Sequence, residues 1–172
     1  SVSFVGGNFL LDGAEGNDTI KGTSLADRIR GGRDADSLDG RDGSDVYEVT
    51  GAGPDWVSGV PYTFQGYDSY TDSGSAADTD SLVATGTAAV DIGLKSFSTA
   101  SGIEQIVNAT SNGSVVRLLG DWSANTLDFS SVSFVGGNFL LDGAEGNDTI
   151  KGTSLADRIR GGRDADSLDG RD

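Results

Sequence analysis

Between Gly13 and Glu48 one apolar or aromatic side chain returns every nine positions, as Ile20, Ile29, Leu38 and Tyr47, and Leu11 extends the series backwards. The residues between are glycine and polar. They divide into four nonapeptides, GAEGNDTIK, GTSLADRIR, GGRDADSLD and GRDGSDVYE, spanning residues 13–48. Position one is always Gly (Gly13, Gly22, Gly31, Gly40) and position six always Asp (Asp18, Asp27, Asp36, Asp45). Glycines at positions one, two and four predict a tight turn through positive φ. Positions seven to nine predict a short strand whose middle side chain faces inward. Two nonapeptides then close one coil with a strand on each side, and residues 18 apart stack at about 4.8 Å. That register sets Asp12 on Arg30, Lys21 on Asp39 and Arg30 on Glu48, three pairs of opposite sign as cross-strand neighbours prefer.

Residues 49–130 do not follow the nonapeptide. Short apolar runs between Gly, Ser, Asn and Asp turns predict strands at Ser81–Ala84, Val90–Ile92, Ile103–Val107, Val115–Leu119, Thr126–Phe129 and Phe139–Leu141. We read them as wider, less regular coils of the same solenoid, with a small β-sandwich inserted between rolls as the alternative. Residues 131–172 then repeat residues 1–42 letter for letter. The expected organisation is one full unit, 1–130, followed by the start of the next, 131–172. With no initiator Met and no signal peptide, the sequence reads as an internal segment of a longer chain.

Composition narrows the chemistry. The 172 residues include 27 Gly, no His and no Cys, and 27 acidic against 12 basic residues leave a formal charge of −15. Without Cys or His there is no disulfide framework, thiolate nucleophile, imidazole base or zinc site of the usual kind. The negative charge argues against nucleic acid and anionic membranes and suits hard cations with oxygen ligands. No apolar run approaches a membrane span. Stacked coils bring Asp18 over Asp36 and Asp27 over Asp45, and paired carboxylates in a turn repel unless a cation separates them. Flexible turns with oxygen donors favour Ca²⁺ over Mg²⁺. A core one or two side chains thick leaves calcium to supply much of the stability.

These nonapeptides resemble the GGxGxDxUx repeats of RTX (repeats-in-toxin) proteins. The resemblance implies an all-β, right-handed parallel β-solenoid, a calcium β-roll continuing into wider β-helix coils, with several Ca²⁺ ions between successive coils. It implies one ligand set of Gly13, Glu15 and Asp18 with Gly32, Asp34 and Asp36, and a second of Gly22, Ser24 and Asp27 with Arg41, Gly43 and Asp45. In the second copy it pairs Asp148 with Asp166 and leaves Asp157 without a partner. GTSLADRIR departs from the pattern at Leu25, where a glycine belongs, so its turn fits least well. The stretch containing Asp68, Asp72, Asp78 and Asp80 reads either as a solvated acidic loop or as a further calcium site. Around it, Trp56, Tyr62, Phe64, Tyr67 and Tyr70 read as packing residues, with a sugar-stacking platform as the alternative. Asn17, Asn108 and Asn112 head glycosylation triplets, though Asn17 fits better as a turn residue.

The functional expectation is a structural one. The chain would be a non-catalytic, calcium-dependent extender from a giant RTX adhesin or surface protein, exported by type I secretion to the bacterial surface and folding there. Its partners would be calcium ions and neighbouring repeats of the same chain, with surface polysaccharide reached through other domains. The competing expectation is a carbohydrate-binding ancillary module of a secreted polysaccharide-active enzyme.

Overall fold

A computed structural model describes residues 9–51, 64–74 and 77–171. In chain order the strands of the first nonapeptides are β1 (Leu10–Asp12), β2 (Thr19–Lys21), β3 (Arg28–Arg30), β4 (Ser37–Asp39) and β5 (Val46–Gly51). The wider region supplies β6 (Phe64–Thr71), β7 (Ser81–Gly86), β8 (Val90–Leu94), β9 (Gln105–Thr110), β10 (Val116–Leu119), β11 (Thr126–Asp128) and β12 (Ser133–Val135). The second copy adds β13 (Phe139–Glu145), β14 (Thr149–Lys151), β15 (Ile159–Arg163) and β16 (Ser167–Asp169). All pair in parallel, in a six-stranded sheet β1-β3-β5-β7-β9-β12, a seven-stranded sheet β15-β13-β10-β8-β6-β4-β2 and a three-stranded sheet β11-β14-β16. This is a parallel β-solenoid throughout, so residues 64–130 form its wider coils and not an inserted sandwich. Among the described residues no helix is long and apolar enough to cross a membrane.

The expected register holds in the nonapeptides. Leu11 lies beside Ile29, Ile29 beside Tyr47, and Ile20 beside Leu38. Beyond them the coil widens from 18 residues between Asp27 and Asp45 to 35 between Asp45 and Asp80. It then contracts to 24 between Asp80 and Glu104 and 23 between Asn125 and Asp148. Every strand anticipated between 81 and 141 is present within a few residues, whereas β6 and β12 were not anticipated. β6 carries Gly66, Asp68 and Ser69 among its aromatics, so no alternation marks it.

One interior column runs Leu11, Ile29, Tyr47, Leu82, Ile106 and Phe134 through the six-stranded sheet. Another runs Ile92, Leu118, Leu141 and Ile159 through the seven-stranded sheet. In the later coils aromatic rings pack in the interior, Phe97 on Phe129 at 4.9 Å and Phe134 on Phe139 at 4.5 Å between ring centres. Outside, Arg30 reaches Glu48 at 3.0 Å and Arg160 reaches Asp142 at 3.1 Å, two of the opposite-sign stacks. Such partly exposed pairs contribute well under about 1 kcal/mol each. They select register more than they stabilise it.

The two copies of the same sequence occupy different sheets. β1 and β3 belong to the six-stranded sheet, yet their copies β13 and β15 belong to the seven-stranded one. The cause is the coil at the entry to the second copy, which ends with β12 inside residues 131–172. Its strands β10, β11 and β12 lie in three different sheets, so the chain gains one extra side before the two-sided pattern resumes.

Candidate metal centre

The turns are built differently from the expectation at position one. Gly13, Gly22, Gly31 and Gly40 are not among the positive-φ residues. The reason for glycine there is space: a Cβ on Gly31 would fall onto Asp36 Oδ2, and one on Gly40 onto Asp45 Oδ2. Gly143 and Gly161 stand in the same relation to Asp148 and Asp166. The position-six carboxylate folds back beneath the residue that opens its own turn. Positions two and four do take the left-handed conformation, and they take it even without glycine, as Ala14 (φ 74°), Asp34 (φ 75°) and Arg41 (φ 72°) show.

The carboxylates of Asp36, Asp45, Asp148 and Asp166 are also rungs between coils. Asp18 N–H donates to Asp36 Oδ1 at 2.8 Å, and Asp27 N–H to Asp45 Oδ1 at 2.6 Å. Asp148 N–H donates to Asp166 Oδ1 at 3.1 Å. Only one oxygen is used in this way. Asp18 Oδ2, Asp36 Oδ2, Asp45 Oδ2, Asp27 Oδ1 and Asp148 Oδ2 are buried with no hydrogen-bond partner. A buried carboxylate oxygen without a donor is costly. Burial first, then neighbouring carboxylates, raises Asp36 and Asp148 above the usual range and pushes Asp45 up to about 7. Buried, unpartnered oxygens facing glycine-rich turns are the donor set a hard cation requires. The residues fit Ca²⁺, which would supply the missing partner to each oxygen and neutralise the stacked charges.

The anticipated ligands are met unevenly. The turns of the first set are stacked, with Asp34 Oδ2 accepting from Gly16 N–H at 3.1 Å, while the carboxylate of Glu15 turns outward to Arg33 at 3.6 Å. Only the backbone of Glu15 faces a turn role. In the second set a Cβ on Gly43 would meet Leu25 backbone, so the turns of Arg41, Gly43 and Asp45 and of Gly22, Ser24 and Asp27 do adjoin. There, however, Thr23 has entered. Its amide and hydroxyl donate to Asp27 Oδ2 at 2.7 and 2.9 Å, and Leu25 N–H caps the Thr23 hydroxyl at 3.2 Å. Neither Thr23 nor Leu25 has positive φ. Thr153 closes on Asp157 likewise.

The ladders continue beyond the nonapeptides. Asp36 N–H donates to Asp68 Oδ1 at 3.0 Å, and Tyr70 hydroxyl takes Asp68 Oδ2 at 3.0 Å, which ends that series. Burial pushes Asp68 up to about 6. Asp45 N–H donates to Asp80 Oδ1 at 2.7 Å, and Asp80 N–H to Glu104 Oε2 at 2.8 Å. Sequence reasoning left Asp68 and Asp80 between a solvated acidic loop and a further calcium site, and missed Glu104, because the intervals of 32, 35 and 24 share no period. It also missed a fifth nonapeptide, GDWSANTLD at 120–128. There a Cβ on Gly120 would meet Asn125 Oδ1, Asn125 N–H donates to Asp148 Oδ1 at 2.8 Å, and Asn125 Oδ1 is itself buried and unpartnered. The signal was present: Gly120, Asn125 and Leu127 stand at positions one, six and eight, with Asn replacing Asp.

The aromatic residues divide. Tyr70 is core, edge-on to Tyr47 at 5.7 Å between ring centres, and Tyr67 is half-buried. Phe64 belongs to β6. Trp56 and Tyr62 lie outside the described residues. Asn17 is a turn residue as expected, its Oδ1 accepting from Ala35 N–H of the next coil at 2.9 Å.

The family model of the RTX calcium-binding nonapeptide repeat matches residues 11–47 and 142–172, in four copies. Neither a curated protein nor a solved structure matches the chain.

Proposed function

Because the chain carries RTX calcium-binding nonapeptide repeats, a structural module that binds several Ca²⁺ ions, we propose that it is an extender unit of a large extracellular RTX adhesin or surface protein. In this reading the calcium ligands are the position-six carboxylates and turn carbonyls of Gly13, Glu15, Asp18, Gly32, Asp34 and Asp36, of Gly22, Ser24, Asp27, Arg41, Gly43 and Asp45, and of the pair Asp148 and Asp166. Asp157 lies at the open end of the second roll. The unit is residues 1–130, and 131–172 begin the next.

The observation that carries the reading is the continuity of the solenoid from one copy into the other. β10 pairs with β13 and β13 with β15, so the wide coils pass directly into the next roll with no linker. An array of such units is one stiff rod. Export by type I secretion follows the same logic: calcium-scarce cytosol leaves an acidic chain unfolded by self-repulsion, and millimolar calcium outside folds it. Circular dichroism of the chain in EDTA and then in calcium tests this. Strand signal appearing cooperatively with calcium is expected, and a chain fully folded in EDTA would sink the proposal.

A carbohydrate-binding module would present a row of exposed aromatics. Among the described residues Trp122 is the one aromatic among the large exposed hydrophobic side chains, so the extender reading is preferred.

A further inference from the structure

Beyond the last rung of the first roll the structure gathers a third carboxylate. Oxygens of Asp45, Asp72 and Asp80 lie within 4.8 Å of one another. Asp45 and Asp80 are the stacked rungs already described, but Asp72 has no counterpart in the nonapeptides. Asp39 lies beside Thr71, which sets Asp72 at the place of Gly40, the position-one glycine. Elsewhere that place has no side chain. Here the chain puts a carboxylate in it.

Two further facts point to a ligand. Asp45 is fully buried, its Oδ1 is used by Asp27 N–H, and its Oδ2 has no partner. Asp72 Oδ1 is likewise buried and unpartnered, as is Asp78 Oδ1 just beyond, whose other oxygen accepts from Gly43 N–H at 2.7 Å. No Lys or Arg pairs with Asp45, Asp72 or Asp80 among the described ion pairs. Three anionic groups this close, largely out of water, repel strongly without a counter-ion.

We propose that Asp45, Asp72 and Asp80 form a calcium site of their own at the junction of roll and wide coil, and that it is the first site to fill. A site's affinity for Ca²⁺ rises with the number of charged ligands. Three carboxylates here exceed the two of each nonapeptide pair. A set of carboxylate oxygens with no nitrogen or sulfur donor suits a hard cation, and flexible coordination favours Ca²⁺ over Mg²⁺. Its occupancy ties β6 and β7 to the roll beneath. The proposal rests on the calcium-dependent reading above but names residues outside the nonapeptides.

Tyr47 offers a reporter. Its hydroxyl donates to Thr71 carbonyl, next to Asp72, at 2.6 Å, so Tb³⁺ bound at the cluster would be sensitised by excitation of tyrosine. The test is calorimetric Ca²⁺ titration and Tb³⁺ emission on the full chain and on two variants, Asp72→Asn and Asp72→Gly. The glycine variant restores the residue found at the equivalent place in every nonapeptide. Both variants are expected to fold at saturating calcium, to lose one ion from the stoichiometry, and to lose the earliest phase of Tb³⁺ emission, with at least tenfold weaker first binding. Unchanged first binding and stoichiometry in both variants would overturn the site, as would failure of both to fold at saturating calcium, which would make Asp72 purely structural. If the unaltered chain itself took up no calcium, the broader calcium-dependent reading would fall instead.

Discussion

Thr23 closes on Asp27, with its amide 2.7 Å and its hydroxyl 2.9 Å from the same carboxylate oxygen. At this one turn of the first roll the protein supplies from its own side chain donors that the other turns lack. Thr23→Gly is therefore expected to lower calcium-free stability by about 1–3 kcal/mol, the usual worth of bonds to a charged group. It should also tighten calcium binding, since Asp27 Oδ2 then loses its hydroxyl donor and keeps only the backbone amide of residue 23, with Oδ1 already unpartnered. Urea unfolding at the lowest calcium concentration that keeps the chain folded, and calcium titration, measure the two effects, which should have opposite signs.

Two exchanges between glycine and alanine in the turns should also act in opposite directions. Gly31→Ala places a methyl group on Asp36 Oδ2 and should destabilise by about 2 kcal/mol through overpacking, with weaker calcium binding. Ala14→Gly relieves a residue held at φ 74° and should stabilise by up to about 1 kcal/mol. Thermal unfolding in calcium distinguishes them; equal effects would mean that position one is chosen for flexibility and not for space.

The calcium-free chain should be more stable in acid than at neutral pH. Burial pushes Asp45 and Asp80 up to about 7 and Asp68 to about 6, from an ordinary 3.8. A carboxyl with a raised folded-state pKa favours folding when protonated. Its contribution is therefore full below the unfolded value and is lost as pH rises through 6 to 7. In EDTA the strand signal by circular dichroism should be higher at about pH 4 than at about pH 8, the latter about one unit above the highest folded-state value. With saturating calcium the order should reverse, because acid then protonates the ligands and expels the ion.

Asn125→Asp should convert the fifth nonapeptide into a full one. Asn125 Oδ1 is already buried and unpartnered above Asp148. A carboxylate there adds one charged ligand, and the expected result is tighter calcium binding with a lower melting point at limiting calcium, read by calorimetry and melting. An unchanged calcium isotherm would mean that this turn takes no ion.

The nonapeptide register was legible because one short period carries everything. Ile20 above Leu38, Asp27 above Asp45 and Arg30 above Glu48 all follow from counting to 18. The ladder's continuation was not legible. Asp68, Asp80 and Glu104 take the same rung, N–H to carboxylate, at three different intervals, because a wide coil absorbs extra residues in its turns while the strands keep their pairing. Position one of the turn was misread for a related reason. Glycine in a repeat suggests positive φ, and only the folded carboxylate beneath it shows that the need is for room.

The sequence by itself determined the coil, its inward column and the acidic turns, since period and residue type act through neighbours one coil apart. It also determined that the strands of residues 10–39 would recur, four for four, in residues 139–169. What it left open was where that structure would face. Leu11 lies in the six-stranded sheet and its copy Leu141 in the seven-stranded one, because the intervening coil adds a side when β10, β11 and β12 separate into three sheets. The copied residues take that new facing only because the coil beneath them differs. There Phe97 packs on Phe129, Phe129 against Phe134, and Phe134 on Phe139, a cluster from three coils that only the tertiary structure brings together.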